Sequence, residues 1–230
     1  MDYKYGYLFL GIFLFLIWTL FYALRKDLRR KLIKVSLFGG FAGFIAEYWY
    51  FKDYWHPYSI IGRKIISPED FIFGFTITGI SVVVCDIFFK TKDQDFVVNS
   101  KKTFGMMFLI GVGSLFLFNI FLGYNSIFVS SITFIILTLY MLSKRSDLLK
   151  EAFFSGLFVL IILFVVYHIL FNLIFLDFWD KCWLLANTKY GITIYGNIPL
   201  TEMIWYFTWG SFSGVAYNFA SGKKKIPLSD

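Results

Sequence analysis

The chain has 230 residues, of which 58% are hydrophobic and 16% are charged, and 31 of them are Phe. A soluble domain carries about 25% charged residues, and the apolar residues here fall in runs of about twenty, the length of a bilayer-spanning helix. The composition therefore excludes an ordinary soluble domain, and the net charge of +7 is no sign of nucleic-acid binding. The sequence predicts a multi-pass protein of the cell membrane, with the lipid bilayer as a partner and no nucleic acid.

Taken in chain order, seven apolar segments are predicted to span the bilayer as α-helices. They are Tyr7–Leu24, Leu32–Tyr50, Phe71–Phe89, Phe104–Leu122, Ile127–Leu142, Phe153–Phe175 and Met203–Ala220. Sixteen Lys and Arg residues follow the odd-numbered spans, against six on the opposite side. Because cytoplasmic loops carry the excess of Lys and Arg, this distribution predicts an N-terminus outside and a C-terminus in the cytoplasm.

Two outer segments share a pattern, an acidic-aromatic loop that leads into a long apolar helix. Asp53-Tyr54-Trp55 matches Asp177-Phe178-Trp179 at an offset of 124 residues, and spans three and seven match at an offset of 132. The matches predict an all-α membrane protein with two parallel three-helix repeats, residues 1–92 and 127–230, joined by a linking helix region, residues 93–126. Repeats of this kind usually place a site at their interface. Chance matches among the frequent Phe and Ile residues are the alternative.

Four acidic residues are the candidate catalytic groups: Glu69, Asp70, Glu202 and Glu47. Acids are expensive in a membrane and mark functional sites there. Residues three apart share a helix face, so Asp70 would lie beside Phe73, and Glu202 beside Trp205. The alternative for the first three is that acids at a helix start complement the helix dipole, with Ser67 as an N-cap. For Glu47 the alternative is an interfacial acid that reaches toward the headgroups.

Six aromatic residues are the candidate substrate-binding groups: Phe73, Trp205, Trp209, Trp49, Trp55 and Trp179. A carboxylic acid in an apolar pocket can donate a proton to a carbon–carbon double bond, and aromatic faces attract the cation that forms. The alternative for these residues is an interfacial aromatic belt, which membrane proteins commonly form.

No cofactor and no metal are predicted. The two Cys and two His residues lack metal-ligand spacing, and no GxGxxG motif follows a strand. The seventh span has no Lys for a retinal Schiff base, and no Asp-rich magnesium motif of a prenyltransferase is present. These absences argue against retinal proteins and membrane prenyltransferases.

The loop and helix-start motifs resemble those of a known family. The motifs are the Asp-aromatic-Trp triplets, the following Gly62 and Gly191, and the helix starts Ser67-Pro68-Glu69-Asp70 and Pro199-Leu200-Thr201-Glu202. They are similar to the integral-membrane lycopene cyclases of the heterodimeric type, in the fused single-chain form. In that family the helix opens with Pro-Leu-Glu-Glu, and the acids transfer protons. Here Thr201 stands where an acid is expected, and Asp70 replaces a Glu.

The resemblance implies a cofactor-independent, acid-catalysed cyclisation of a linear carotenoid end group, which is an isomerisation in carotenoid biosynthesis. Protonated Glu69 or Asp70 would donate the proton, and Glu202 or Glu47 would take the ring proton. The partners implied are an apolar isoprenoid or carotenoid substrate and other membrane enzymes of the carotenoid pathway. Thr201 favours the alternatives: a non-catalytic isoprenoid-binding membrane protein or small transporter, or a cyclase of another isoprenoid.

Overall fold

The computed structural model describes residues 2–228 of the chain and is mostly helical (74%). The long helices are α1 (Gly6–Leu24), α2 (Arg29–Asp53), α3 (Pro68–Phe88), α4 (Lys101–Leu115), α5 (Ser126–Lys144), α6 (Leu149–Tyr167) and α8 (Leu200–Ser221), and α7 (Phe178–Cys182) is short. Helices α4 and α6 continue as π-helical turns over Phe116–Phe121 and His168–Ile174. The short strands are β1 (Thr91–Asp95), β2 (Thr193–Ile194), β3 (Ile198–Pro199) and β4 (Lys223–Pro227).

Five of the seven predicted spans lie on helices that are long and apolar enough to cross a bilayer. These candidate spans are Tyr3–Leu24, Pro68–Phe88, Lys101–Phe121, Ser126–Lys144 and Ser146–Ile174. Helix α2 begins with basic residues, and α8 carries polar residues that are buried against other helices. A helix that packs inside a bundle need not present apolar residues to lipid, which explains the lower hydrophobicity of α8, whereas that of α2 comes from its basic first turns.

Helices α2 and α3 approach so closely that their backbones meet at glycines. A Cβ atom on Gly43 would overlap the carbonyl oxygen of Asp70, and one on Gly74 would overlap that of Gly39. The Gly39/Gly43 pair therefore packs within the molecule. The contact has a direct consequence for the acids: Glu47 lies one helical turn beyond Gly43 on α2, and Asp70 one turn before Gly74 on α3.

Helices α6 and α8 meet in the same way in the second half of the chain. A Cβ atom on Gly210 would lie 3.0 Å from the Cα of Gly156, and Gly214 faces Ser155. Small residues at such crossings allow close helix packing. The Gly210/Gly214 pair therefore also packs within the molecule.

Backbone pairing joins the two halves of the chain at both ends of the helix bundle. At one end, which we call the basic end, β1 pairs antiparallel with β4, and Asp93 lies opposite Lys225. At the other, which we call the tryptophan end, Trp55 pairs with Trp183; the His56 amide donates to the Cys182 carbonyl (2.7 Å) and the Leu184 amide donates to the Tyr54 carbonyl (2.9 Å).

A buried ion cluster lies beneath the strand pair at the basic end. Lys31 of α2 pairs with Asp86 (3.2 Å) and Asp93 (2.9 Å), while Lys225 of β4 pairs with Asp86 (2.5 Å) and Glu151 (3.2 Å). Burial lowers the pKa of the Lys225 ammonium, but the facing carboxylates of Glu151 and Asp86 outweigh it and raise the pKa above its ordinary value. The cluster therefore ties elements from both halves together through paired charges.

Candidate active site

One cavity of about 620 Å³ brings together most of the candidate residues. Helices α2, α3, α4, α5 and α8 contribute to its walls. Eight of the ten predicted site residues line it: Glu47, Asp70, Glu202, Phe73, Trp205, Trp209, Trp49 and Trp55. The three acids are 5%, 3% and 7% exposed, in that order. Carboxyl groups from both halves of the chain therefore face one largely apolar space.

Asp70 lines the cavity, and both of its carboxyl oxygens accept hydrogen bonds. Its Oδ2 accepts from the Ser67 amide (2.6 Å) and the Ser67 hydroxyl (2.9 Å); the bond from the amide is the Asp70 arm of a capping box in which Ser67 is the N-cap residue. Its Oδ1 accepts from the Tyr7 hydroxyl at 2.7 Å. Three hydrogen bonds therefore fix the position of the Asp70 carboxyl group.

Glu47 differs from Asp70 because one of its oxygens is free. Its Oε2 accepts from the Trp55 indole at 3.3 Å, while Oε1 is buried and has no hydrogen-bond partner among the described residues. Native proteins rarely leave a buried polar atom unpaired, so such an atom calls for an explanation. The unpaired Oε1 therefore makes Glu47 a candidate for a functional role.

Glu202, at the start of α8, lies among tyrosines. Its Oε2 accepts from the Tyr167 hydroxyl at 2.8 Å, and the hydroxyls of Tyr167 and Tyr206 are 2.5 Å apart. The neighbouring Thr201 hydroxyl forms a 3.1 Å hydrogen bond with Tyr54. The second acidic motif thus faces a buried group of phenols, and Thr201 takes part in it through its hydroxyl.

Aromatic rings form the wall of the cavity near the acids. The rings of Trp205 and Trp209 stack 5.7 Å apart, and Phe73 lies 6.5 Å from Trp205. The Trp205 indole donates to the Tyr50 hydroxyl at 2.7 Å, which fixes the ring in place. Trp55 is 7% exposed and Trp205 8% exposed, so these residues lie inside the bundle rather than in an interfacial belt.

Glu69 and Trp179 are the two candidate residues that do not line the cavity. Glu69 points into the loop before α3, where its Oε1 accepts from the Ile60 amide at 2.7 Å. Trp179 stacks behind Trp55 with a ring separation of 6.2 Å and supports it from outside the cavity. Adjacent acids on a helix point in different directions, which is why Glu69 and Asp70 are separated.

The residues that sequence reasoning missed are tyrosines. Tyr7 of α1 holds Asp70, and Tyr167 of α6 holds Glu202. Glu47 and Tyr167 are 120 residues apart, as are Arg25 and Arg145 at the starts of the corresponding helices. An alignment of the second and sixth spans at this offset could have indicated Tyr167, whereas nothing in the sequence marks Tyr7.

Within residues 2–228, no group of three or more His, Cys, Asp or Glu side chains could hold a metal ion. The arrangement that the structure does present is that of a membrane protein with an apolar, aromatic cavity and buried carboxyl groups. Its chemistry is suited to proton transfer to and from an apolar ligand.

Comparison with protein families agrees with this description. Residues 125–220 match the family model for lycopene cyclase, so this part of the chain is similar to that family. The matched range includes α5, α6 and α8 and therefore Glu202, Trp205 and Trp209, whereas Glu47 and Asp70 lie outside it. No curated protein and no solved structure gives a significant match.

Proposed function

We propose that the protein is a cofactor-independent, acid-catalysed cyclase that converts the linear end group of a carotene into a ring. The observation that carries the proposal is the convergence of Glu47, Asp70 and Glu202 on one aromatic cavity. The substrate would be a lycopene-like polyene, supplied within the bilayer by other membrane enzymes of the carotenoid pathway. The reaction is an isomerisation, because one proton is added and one is lost.

Glu47 is the proposed proton donor. Glu47 lines the cavity, and its buried Oε1 has no hydrogen-bond partner among residues 2–228. Protonated, it would transfer its hydrogen to the terminal double bond of the polyene and leave a tertiary carbocation. General acid catalysis of this kind contributes about 10²–10⁴-fold to a rate.

Ring closure then follows without further reagents. An internal double bond attacks the cationic carbon, one carbon–carbon bond forms, and the positive charge moves onto the ring. Glu202 is the proposed acceptor of the ring proton, since it lines the cavity and its Oε2 accepts a hydrogen bond from the Tyr167 hydroxyl. Loss of that proton regenerates a double bond, so that atoms and electrons balance.

Asp70 and the aromatic rings have a different proposed role. The hydrogen bonds from Ser67 and Tyr7 fix the position of the Asp70 carboxylate beside the reacting end. A fixed negative charge and the π faces of Phe73 and Trp205 would stabilise the cation before and after ring closure.

The proposal includes the architecture and orientation predicted from the sequence: seven spans, two three-helix repeats and a cytoplasmic C-terminus. Two observations support the repeats. Arg25 binds Asp27 and Arg145 binds Asp147 through the same Nε and terminal nitrogens. The β1–β4 ladder is centred on Asp93 and Lys225, which are 132 residues apart, the offset that relates spans three and seven. Reporter fusions at each terminus test the orientation; an active cytoplasmic reporter at the N-terminus would reverse it.

Pigment chromatography after expression in bacterial cells that accumulate lycopene tests the function. New one-ring or two-ring carotenes are expected, and their absorption identifies the ring type. Unchanged lycopene, with the protein present in the membrane fraction, would reject cyclisation of this substrate.

A non-catalytic isoprenoid-binding protein is the second candidate function. Thr201 provides the observation that favours it, because its hydroxyl binds Tyr54 in a position where the family resemblance implies an acid. Binding of lycopene by the purified protein without ring formation in the cells would support this candidate over the enzyme.

A further inference from the structure

The cavity extends from the tryptophan end of the bundle to the basic end. Tyr7, Tyr54 and Trp55 line it at the tryptophan end and are all buried. At the other end the lining includes Lys34, an exposed residue in the second turn of α2, and Tyr217 of α8. The cavity therefore runs along α2 from the acids to the basic surface.

The length of this path limits how a linear ligand can bind. Glu47 and Lys34 both face the cavity and are thirteen residues apart on α2; at about 1.5 Å per residue, the distance along the helix is about 20 Å. A linear polyene longer than this path that has one end at Glu47 therefore extends past Lys34, with its other end outside the cavity.

We propose that the cavity binds its polyene lengthwise, with one apolar end at the acids and the opposite end emerging at the basic end beside Lys34. The substrate class thus extends to linear polyenes that carry an anionic group, such as a carboxylate, at the far end. This inference rests on the proposed function for the identity of the ligand. A two-ring product would require release and rebinding in the reversed direction, so one-ring carotene is expected to accumulate first.

The test is a binding measurement on the full chain in lipid nanodiscs, read as quenching of tryptophan fluorescence by the polyene. Three probes of equal chain length are compared. They are the linear carotene, the same polyene with a carboxylate at one end, and the same polyene with a carboxylate at each end. The carotene and the one-carboxylate polyene are expected to bind within about threefold of each other, and the two-carboxylate polyene about tenfold or more weakly. The reason is that the two-carboxylate polyene has no apolar end for the aromatic wall.

The Lys34→Glu variant tests whether the far end of the polyene lies beside residue 34. The substitution should weaken binding of the one-carboxylate polyene by about fivefold and leave carotene binding unchanged. Lys150→Glu is the matched control: Lys150 is exposed, makes the same charge change at the basic end and lies outside the cavity lining, so neither ligand should be affected.

Two outcomes would overturn the proposal: equally weak binding of the one-carboxylate and two-carboxylate polyenes, or equal effects of Lys34→Glu on all probes. Binding requires no turnover, so the result is separate from the fate of the proposed enzyme activity. The expected binding pattern without ring formation in cells would reject the cyclase and retain lengthwise binding. Ring formation without that pattern would retain the cyclase and reject lengthwise binding.

Discussion

Glu47 and Glu69 are both buried glutamates, but only Glu47 faces the cavity. We expect Glu47→Gln to lower ring formation at least about 100-fold, because glutamine cannot donate the proton. Glu69→Gln is the matched control and should keep most of the activity, since Gln can still accept the hydrogen bond from the Ile60 amide. Pigment chromatography with equal protein amounts in the membrane provides the measurement. Loss of activity in the Glu69→Gln variant alone would identify Glu69, and not Glu47, as the proton donor.

Tyr167 supports Glu202 through a single hydroxyl group. Tyr167→Phe keeps the ring and its packing but removes that hydrogen bond. We expect ring formation to fall about tenfold, while polyene binding, measured by tryptophan quenching, stays within about twofold. A parallel loss of binding and activity would mean that Tyr167 shapes the cavity rather than assisting Glu202.

Individual site residues were predictable where local sequence determines their position. Asp70 and Glu202 stand at helix starts, so their nearness to the membrane boundary follows from hydropathy and turn residues. Helix geometry predicts that Glu69 and Asp70 point in different directions. Which of the two faces the cavity depends on the helix that packs against α3. Tyr7 could not be predicted, because its contact with Asp70 depends on how α1 packs against α3.

At the level of helices, the α2–α3 crossing sets the distance between Glu47 and Asp70. Gly43→Ala should reduce the free energy of unfolding by about 1–3 kcal/mol, because the new methyl group overlaps the Asp70 carbonyl. Ring formation should fall as well, since the two acids move apart. Gly113→Ala is the control, as a Cβ at Gly113 meets no atom within 4 Å. Denaturation in mixed micelles, followed by circular dichroism, measures the free energy of unfolding of both variants. Equal stability of the two variants would contradict the close crossing of α2 and α3.

Hydropathy predicts most helices well, since long apolar runs have few other options in a bilayer. The π-helical turn at the end of α4 is not apparent in the sequence. It forms where the Lys52 ammonium donates to the Asn119 carbonyl at 3.1 Å and the Asn119 side chain donates to Asp53. Because these partners are more than sixty residues apart in the chain, local sequence cannot indicate the change in helix type.

For the molecule as a whole, the ion cluster at the basic end joins the two halves. Lys225→Met should reduce the free energy of unfolding by about 3–5 kcal/mol, because Glu151 and Asp86 lose a buried cation. The control Lys224→Met, whose ammonium lies over the Phe96 ring, should cost less than about 1 kcal/mol. Adding Glu151→Gln to Lys225→Met should recover part of the loss. Similar stabilities for Lys225→Met and Lys224→Met would show that the cluster does not join the halves.

The same cluster makes a prediction for pH. The folded state raises the pKa of Lys225, so its contribution to stability is complete below the ordinary lysine value of about 10.4 and disappears as the pH rises through the folded-state pKa. The free energy of unfolding of the wild type should therefore decline in strongly alkaline solution more steeply than that of Lys225→Met. Parallel declines of the two free energies of unfolding would contradict a stabilising role of the Lys225 charge.

The strand pair β1–β4 and the Trp55–Trp183 pairing hold the two halves together at opposite ends of the bundle. A carrier that works by alternating access opens one end and then the other as its halves rock. Here each opening would break backbone hydrogen bonds, and at the basic end it would also separate buried charges. The halves are therefore expected to move as one unit, so a ligand must leave by the route through which it entered. Cyclised product and fresh substrate then compete for one entrance, and added product should act as a competitive inhibitor.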